Sequence, residues 1–124
     1  MPQYMLLLYD NPAGWAKLTP QQQKKEMEKY QAWGQQLRDK KFLVASHKLA
    51  DEPGKVLRSN SGKVVVSDGP YSETKEWLGG YYLIEAPNYQ AAVEVSRGCP
   101  TLEHGGTIEL RELDARVNAA SANK

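Results

Sequence analysis

The stretch YMLLLY, Tyr4–Tyr9, decides how the rest of the chain is read. Its apolar side chains fall on both parities, so as a strand it presents an apolar row to each face of a sheet. Such a strand belongs in the middle of a sheet and needs cover on both sides. The run is far too short to span a bilayer. No basic segment precedes it and no cleavage-type small residues follow, so it reads as a first strand rather than a secretory leader. A cytoplasmic protein is expected.

Outward from this strand, Asp10–Gly14 (DNPAG) breaks it and Thr19 opens a helix. Thr19 is the N-cap, Pro20 takes the first helical position, and Gln22 stands at capping-box spacing. Met27, Tyr30, Trp33, Gly34 and Leu37 share one side of a helix running to about Lys40. Gly34 weakens that helix, so it is expected to serve the close approach of a strand's backbone. Phe42–Leu49 is a second strand, with Leu43, Ala45, His47 and Leu49 on one face and Phe42, Val44, Ser46 and Lys48 on the other. Lys55–Arg58 and Lys63–Ser67 form a hairpin about Ser59-Asn60-Ser61-Gly62. Tyr81–Ala86 is a further strand. Asn88 caps a shorter helix to about Arg97, closed by Gly98 and Pro100, and Thr107–Leu113 is the last strand. Residues 1–117 read as one domain and Asn118–Lys124 as a frayed tail.

This order is the split βαβ pattern with one added hairpin. It predicts an α+β, ferredoxin-like antiparallel sheet with two helices on one face. The second apolar face of YMLLLY then still needs cover. A second copy of the chain, sheet against sheet, is the economical solution and predicts a homodimer; the added hairpin is the alternative cover.

Composition narrows the function. The 124 residues are 40% apolar and 25% charged, with 16 basic and 15 acidic residues giving a net charge of +1. That balance supplies no field to hold nucleic acid or an anionic membrane. KKEMEK, Lys24–Lys29, interleaves its charges as a solvated helix face does. Trp15, Trp33 and Trp77 do not align with basic residues as a base-stacking platform would. The single cysteine, Cys99, excludes an intramolecular disulfide and a multi-cysteine metal site, and reads as a small buried residue. His47 and His104 stand far apart without a third clear ligand, so no metal is expected. No phosphate loop, Ser/His/Asp triad or motif for flavin, nicotinamide or haem is present, so no cofactor is expected.

The lead on function is DGPYSETKEWLGG, Asp68–Gly80, a connection much longer than two strands require. It has two readings. In one, Asp68 accepts backbone N–H bonds in a turn, Ser72 or Thr74 caps a helical turn, and the carboxylates brace the loop. In the other, Asp68 and Glu73 or Glu76 face a cleft, where a partly desolvated carboxylate acts as a general base and Lys75 holds a substrate anion. His47 is either a hydrogen-bonded core residue or the proton carrier its ordinary pKa suits. On the last strand Thr107, Glu109 and Arg111 point away from Ile108 and Leu110, toward solvent or toward an inter-subunit space.

DGPYSETKEWLGGYYLIEA resembles the signature of the DGPF family within the wider YCII-related group. Asp68, Gly69, Pro70, Glu73, Lys75 and Glu76 match its core, with Tyr71 where Phe is commoner, and GGTIELREL is similar to its closing strand. The resemblance implies a ferredoxin-like subunit forming a dimeric α+β barrel with a cleft between sheet and loops. It implies no agreed reaction. The superfamily includes muconolactone isomerase-like and antibiotic monooxygenase-like enzymes, and DGPF-type proteins are often encoded beside sigma factors. YCII-type proteins are associated with a histidine–aspartate pair, a role that would fall here to His47 and Asp68. Two functions follow as expectations. The first is cofactor-independent proton transfer on a small organic acid, isomerase- or lyase-like. Asp68 or His47 takes the proton, and Glu73, Lys75, Glu76, Tyr71 and Arg111 bind the ligand. The alternative is a non-catalytic small-ligand sensor or partner-binding module linked to sigma-factor-dependent transcription.

Overall fold

The computed structural model describes residues 1–71 and 75–122, with side chains through residue 118. Strand β1 (Gln3–Asp10) is followed by a short helix α1 (Pro12–Ala16) and the long helix α2 (Pro20–Asp39). Then come β2 (Leu43–Lys48), the hairpin β3 (Lys55–Asn60) and β4 (Lys63–Asp68), and β5 (Trp77–Glu85). Helix α3 (Tyr89–Ser96), a 3-10 helix (Pro100–His104), β6 (Thr107–Glu112) and α4 (Ala115–Ala122) complete the described chain. The main sheet runs β2-β5-β1-β6 with every pairing antiparallel, and β3–β4 forms a separate two-stranded sheet. With the hairpin set aside, this is the ferredoxin-like strand order, and the α+β fold expected from the sequence is the one observed.

β1 is central, as its composition demands. Leu6 sits between Tyr82 of β5 and Leu110 of β6. Tyr4, Leu6 and Leu8 face the helices and are buried with Trp33 and Leu37 of α2, Ile84, Ala86, Ala92 of α3 and Cys99. Tyr4 meets the edge of Tyr89, and Trp33 meets Tyr82, each with ring centroids 4.8 Å apart. The opposite row, Met5, Leu7 and Tyr9, is only half-buried. The hairpin buries little of itself: every residue of β4 and every residue of β3 except half-buried Val56 is exposed.

The caps expected from the sequence are in place. Thr19 Oγ1 accepts from the Gln22 N–H while Gln22 Oε1 accepts from the Thr19 N–H, and Asn88 Oδ1 accepts from the Ala91 N–H. The hairpin turns at Ser61 (φ 51°) and Gly62 (φ 81°), the left-handed pair of a two-residue loop. Other details depart from expectation. DNPAG does end β1, but Asn11 then caps α1 by accepting from the Ala13 N–H. The ladder between β2 and β5 shifts register between Leu43 and Ala45, so Leu43 pairs with Ile84 and leaves the face that carries His47. No strand backbone approaches Gly34; the nearest atoms to a Cβ placed there belong to Arg38. After β6, Asp114 caps the start of α4 by accepting from the Arg116 N–H.

Candidate functional site

The buried stripe of α2 stops short of the helix's first half. Trp33, Gly34 and Leu37 are buried, Tyr30 is half-buried and Met27 is exposed. There a cleft of about 340 Å³ opens between α2, α1 and the adjoining ends of β1, β2 and β5. Leu8, Trp15, Tyr30 and Tyr82 give it apolar, mostly aromatic walls, while Asp10, Arg38, Ser46 and Thr101 supply polar groups. A small concave site of this kind, apolar with a few convergent polar groups, is the form ligand pockets take.

Each polar group is placed by a local feature of the sequence. Asp10 is the last residue of β1, and its carboxylate accepts from the Asn11 N–H at 2.8 Å where the chain turns into α1. Tyr30 lies 2.6 Å, hydroxyl to hydroxyl, from Thr101 of the 3-10 helix. Burial pushes the Tyr30 hydroxyl up to about 12; the Thr101 hydrogen bond offsets part of this, and Cys99 and the Asp10 carboxylate push upward as well. Burial likewise lifts Tyr82 to about 12, with Cys99 adding to the rise and Arg38 countering it. Both hydroxyls are therefore proton donors at neutral pH. At the rim, Lys48 is tied to Asp51 at 2.8 Å and to the Leu49 carbonyl at 2.9 Å.

The residues singled out from the sequence are spread over three places. His47 borders the cleft. It pairs across strands with Tyr81, whose hydroxyl lies 2.7 Å from its Nδ1, so by strand alternation its ring is on the sheet face away from α2. Asp68 ends β4 on the hairpin, paired with Lys55 and with its side chain 80% exposed. Tyr71 is 76% exposed and stacks under the Arg58 guanidinium, 5.6 Å from its ring centroid. Lys75 is exposed, and half-buried Glu76 accepts from Thr107 Oγ1 at 3.5 Å. Arg111 pairs with Glu109 at 3.8 Å, and Glu109 also accepts from the Tyr9 hydroxyl at 3.1 Å, all on the open sheet face. Glu73, with Ser72 and Thr74, lies outside the described residues. Asp68, Tyr71, Lys75, Glu76 and Arg111 do not line the cleft, whereas Trp77 and Leu78, at the end of the same loop, do.

The sequence reading missed Asp10, Tyr30, Arg38 and Thr101 as a group. One usable signal was the spacing of Tyr30, Gly34 and Arg38, four residues apart on one helix face. Among the described residues no three His, Cys, Asp or Glu side chains converge as metal ligands, and no helix is long and apolar enough to cross a membrane.

Comparison with known proteins agrees with this architecture. An uncharacterized protein of Rhizobium meliloti (strain 1021) is 38% identical over 58 residues, a match covering 46% of this chain and 47% of that protein. The chain thus aligns with about half the length of that relative. The YCII-related domain matches residues 2–114, from β1 through β6, and on that extent the chain belongs to the YCII-related family.

Proposed function

We propose that the protein binds a small, largely planar organic molecule in the cleft beneath α2 and moves a proton on it, in an isomerase- or lyase-like reaction. The observation that carries this reading is that Asp10 and Tyr30 line one aromatic-walled cleft, near enough for the Asp10 charge to raise the Tyr30 hydroxyl. Asp10 takes a proton from a carbon next to a carbonyl group. Tyr30, held by Thr101, donates a hydrogen bond to the carbonyl oxygen as negative charge develops there. Return of the same proton to a different carbon completes an isomerisation, so the chain's own side chains balance the reaction. Apolar walls strengthen both interactions by excluding water. Asp10 is preferred to Asp68 as the base because Asp68 is four-fifths exposed and already paired with Lys55.

The test is exchange of the α-proton of small carbonyl compounds into D₂O, followed by NMR, with binding read independently from the fluorescence of Trp15 and Trp77. Catalysed exchange that falls by about a hundredfold in Asp10→Asn, with binding retained, is expected. Full exchange activity in Asp10→Asn would refute the assignment. Binding with no exchange in the native protein would transfer the cleft to the sensor reading. We also propose self-association through the open sheet face; the half-buried apolar row Met5, Leu7 and Leu83 supports it.

A further inference from the structure

One exposed cation of the cleft, Arg38, is engaged by no acid among the described residues. Arg38 lies two turns along α2 from Tyr30, with Gly34 between them, and all three line the cleft. Its guanidinium folds back along the helix: a Cβ placed on Gly34 would lie 3.8 Å from Nη1 and 3.9 Å from Nη2. The guanidinium thus packs beside the Gly34 backbone, next to the cleft. Arg38 Nη2 donates one hydrogen bond, to Gln35 Oε1 at 3.2 Å. Among the described residues Arg38 forms no ion pair. The adjacent carboxylate, Asp39, accepts from Gln35 instead. The cleft's other cation, Lys48, is occupied by Asp51 and the Leu49 carbonyl. A guanidinium presents five N–H donors in a fork that fits a carboxylate with two parallel bonds, and most of that capacity is unused here.

We infer that Arg38 is an anion anchor and that the cleft is built for monocarboxylic organic acids. The carboxylate takes the Arg38 fork at the mouth, the apolar body lies against Trp15, Tyr30 and Leu8, and the far end reaches Asp10. A second acid group at that end would meet the Asp10 carboxylate, so like-charge repulsion selects against dicarboxylates. This inference rests on the cleft being the binding site and adds the class of molecule it takes.

Phenylacetate and phenylacetamide, nearly equal in shape and differing by one charge, are the probes. Their binding is followed through the indole N–H signals of Trp15 and Trp77. The native protein is expected to bind phenylacetate about tenfold or more tighter than the amide, with the difference shrinking as salt is added. Arg38→Gln should erase the preference, lowering phenylacetate affinity far more than amide affinity. Arg38→Lys should keep part of it, since a point charge cannot reproduce the fork. Circular dichroism checks that these exposed-site variants remain folded. Equal affinity for the two probes, or a preference that survives Arg38→Gln, would overturn the anchor and leave the cleft standing. Failure of both probes to move either indole signal would sink the cleft reading together with the anchor.

Discussion

The hydroxyls of Tyr30 and Thr101 stand 2.6 Å apart and join α2 to the 3-10 helix where the cleft meets the core. Thr101 is 1% exposed. Gly106 makes its position possible: a Cβ there would come within 2.5 Å of Thr101 Cγ2 and 2.8 Å of the Tyr9 carbonyl oxygen. The close turn before β6 therefore fixes Thr101, and Thr101 fixes Tyr30.

Removing one partner of this bond leaves a buried hydroxyl poorly satisfied, at a cost of about 1–2 kcal/mol. Tyr30→Phe and Thr101→Val should each lower the urea midpoint by that equivalent with an unchanged m value. The double variant should lose clearly less than the sum of the two, because both delete the same interaction. Strict additivity would mean that the hydroxyls do not stabilise each other.

Burial of Tyr30 and Tyr82 also sets an alkaline limit. Both are raised from 10.0 to about 12, so the unfolded chain ionises these groups first. Their contribution to stability is fully present below pH 10 and is lost as pH rises toward 12. Spectrophotometric titration should show two of the seven tyrosines ionising last in the native protein. Urea midpoints should fall over the same interval. Tyr82→Phe should flatten that fall; an unchanged slope would show that Tyr82 is not desolvated.

What the sequence disclosed and what it hid divide along physical lines. β1, the capping box of α2, the Asn88 cap and the Asn60–Gly62 turn were legible because each is set by neighbours in sequence. The cleft was not, because it lies where the buried stripe of an amphipathic helix ends and residues distant in sequence meet. Tyr30 reads as core by spacing yet ends half-buried against Thr101, 71 residues away. Asp10 reads as a strand breaker and also supplies the carboxylate at that strand's end. The long loop drew attention through its charges, but its contribution to the cleft is Trp77 and Leu78.

Acid should act at a different place. Glu26 of α2 binds His104 of the 3-10 helix and, at 3.2 Å, Lys29, which reaches Glu103 at 3.3 Å. Burial pushes the Glu26 carboxyl up, but the hydrogen bonds and charges of Lys29 and His104 outweigh it and hold the group below its ordinary 4.5. A lowered carboxyl contributes stability above its unfolded pKa and loses it as pH falls through the folded one. Glu26→Gln should therefore be less stable than the native protein at pH 7, with the gap shrinking as the pH is lowered to 3. A gap that stays constant between those values would show that the Glu26 charge is not what matters.

The open sheet face supplies the last prediction. Leu7 lies between Tyr81 of β5 and Glu109 of β6, on the row with Met5 and opposite the buried Tyr4, Leu6 and Leu8. An apolar row in the centre of a sheet, left half-exposed, is stabilised when a second sheet covers it. Light scattering should give twice the 13.9 kDa chain mass for the native protein. Leu7→Lys places a charge at the middle of the face that pairing would bury, where desolvating it without a partner is costly. It should yield a monomer with an unchanged far-ultraviolet spectrum, since Leu7 contributes nothing to the helix-side core. Charge reversal at exposed Arg58, on the hairpin, should leave the mass unaltered. If instead Arg58→Glu dissociates the pair and Leu7→Lys does not, the subunits meet through the hairpin and the sheet face is open to solvent.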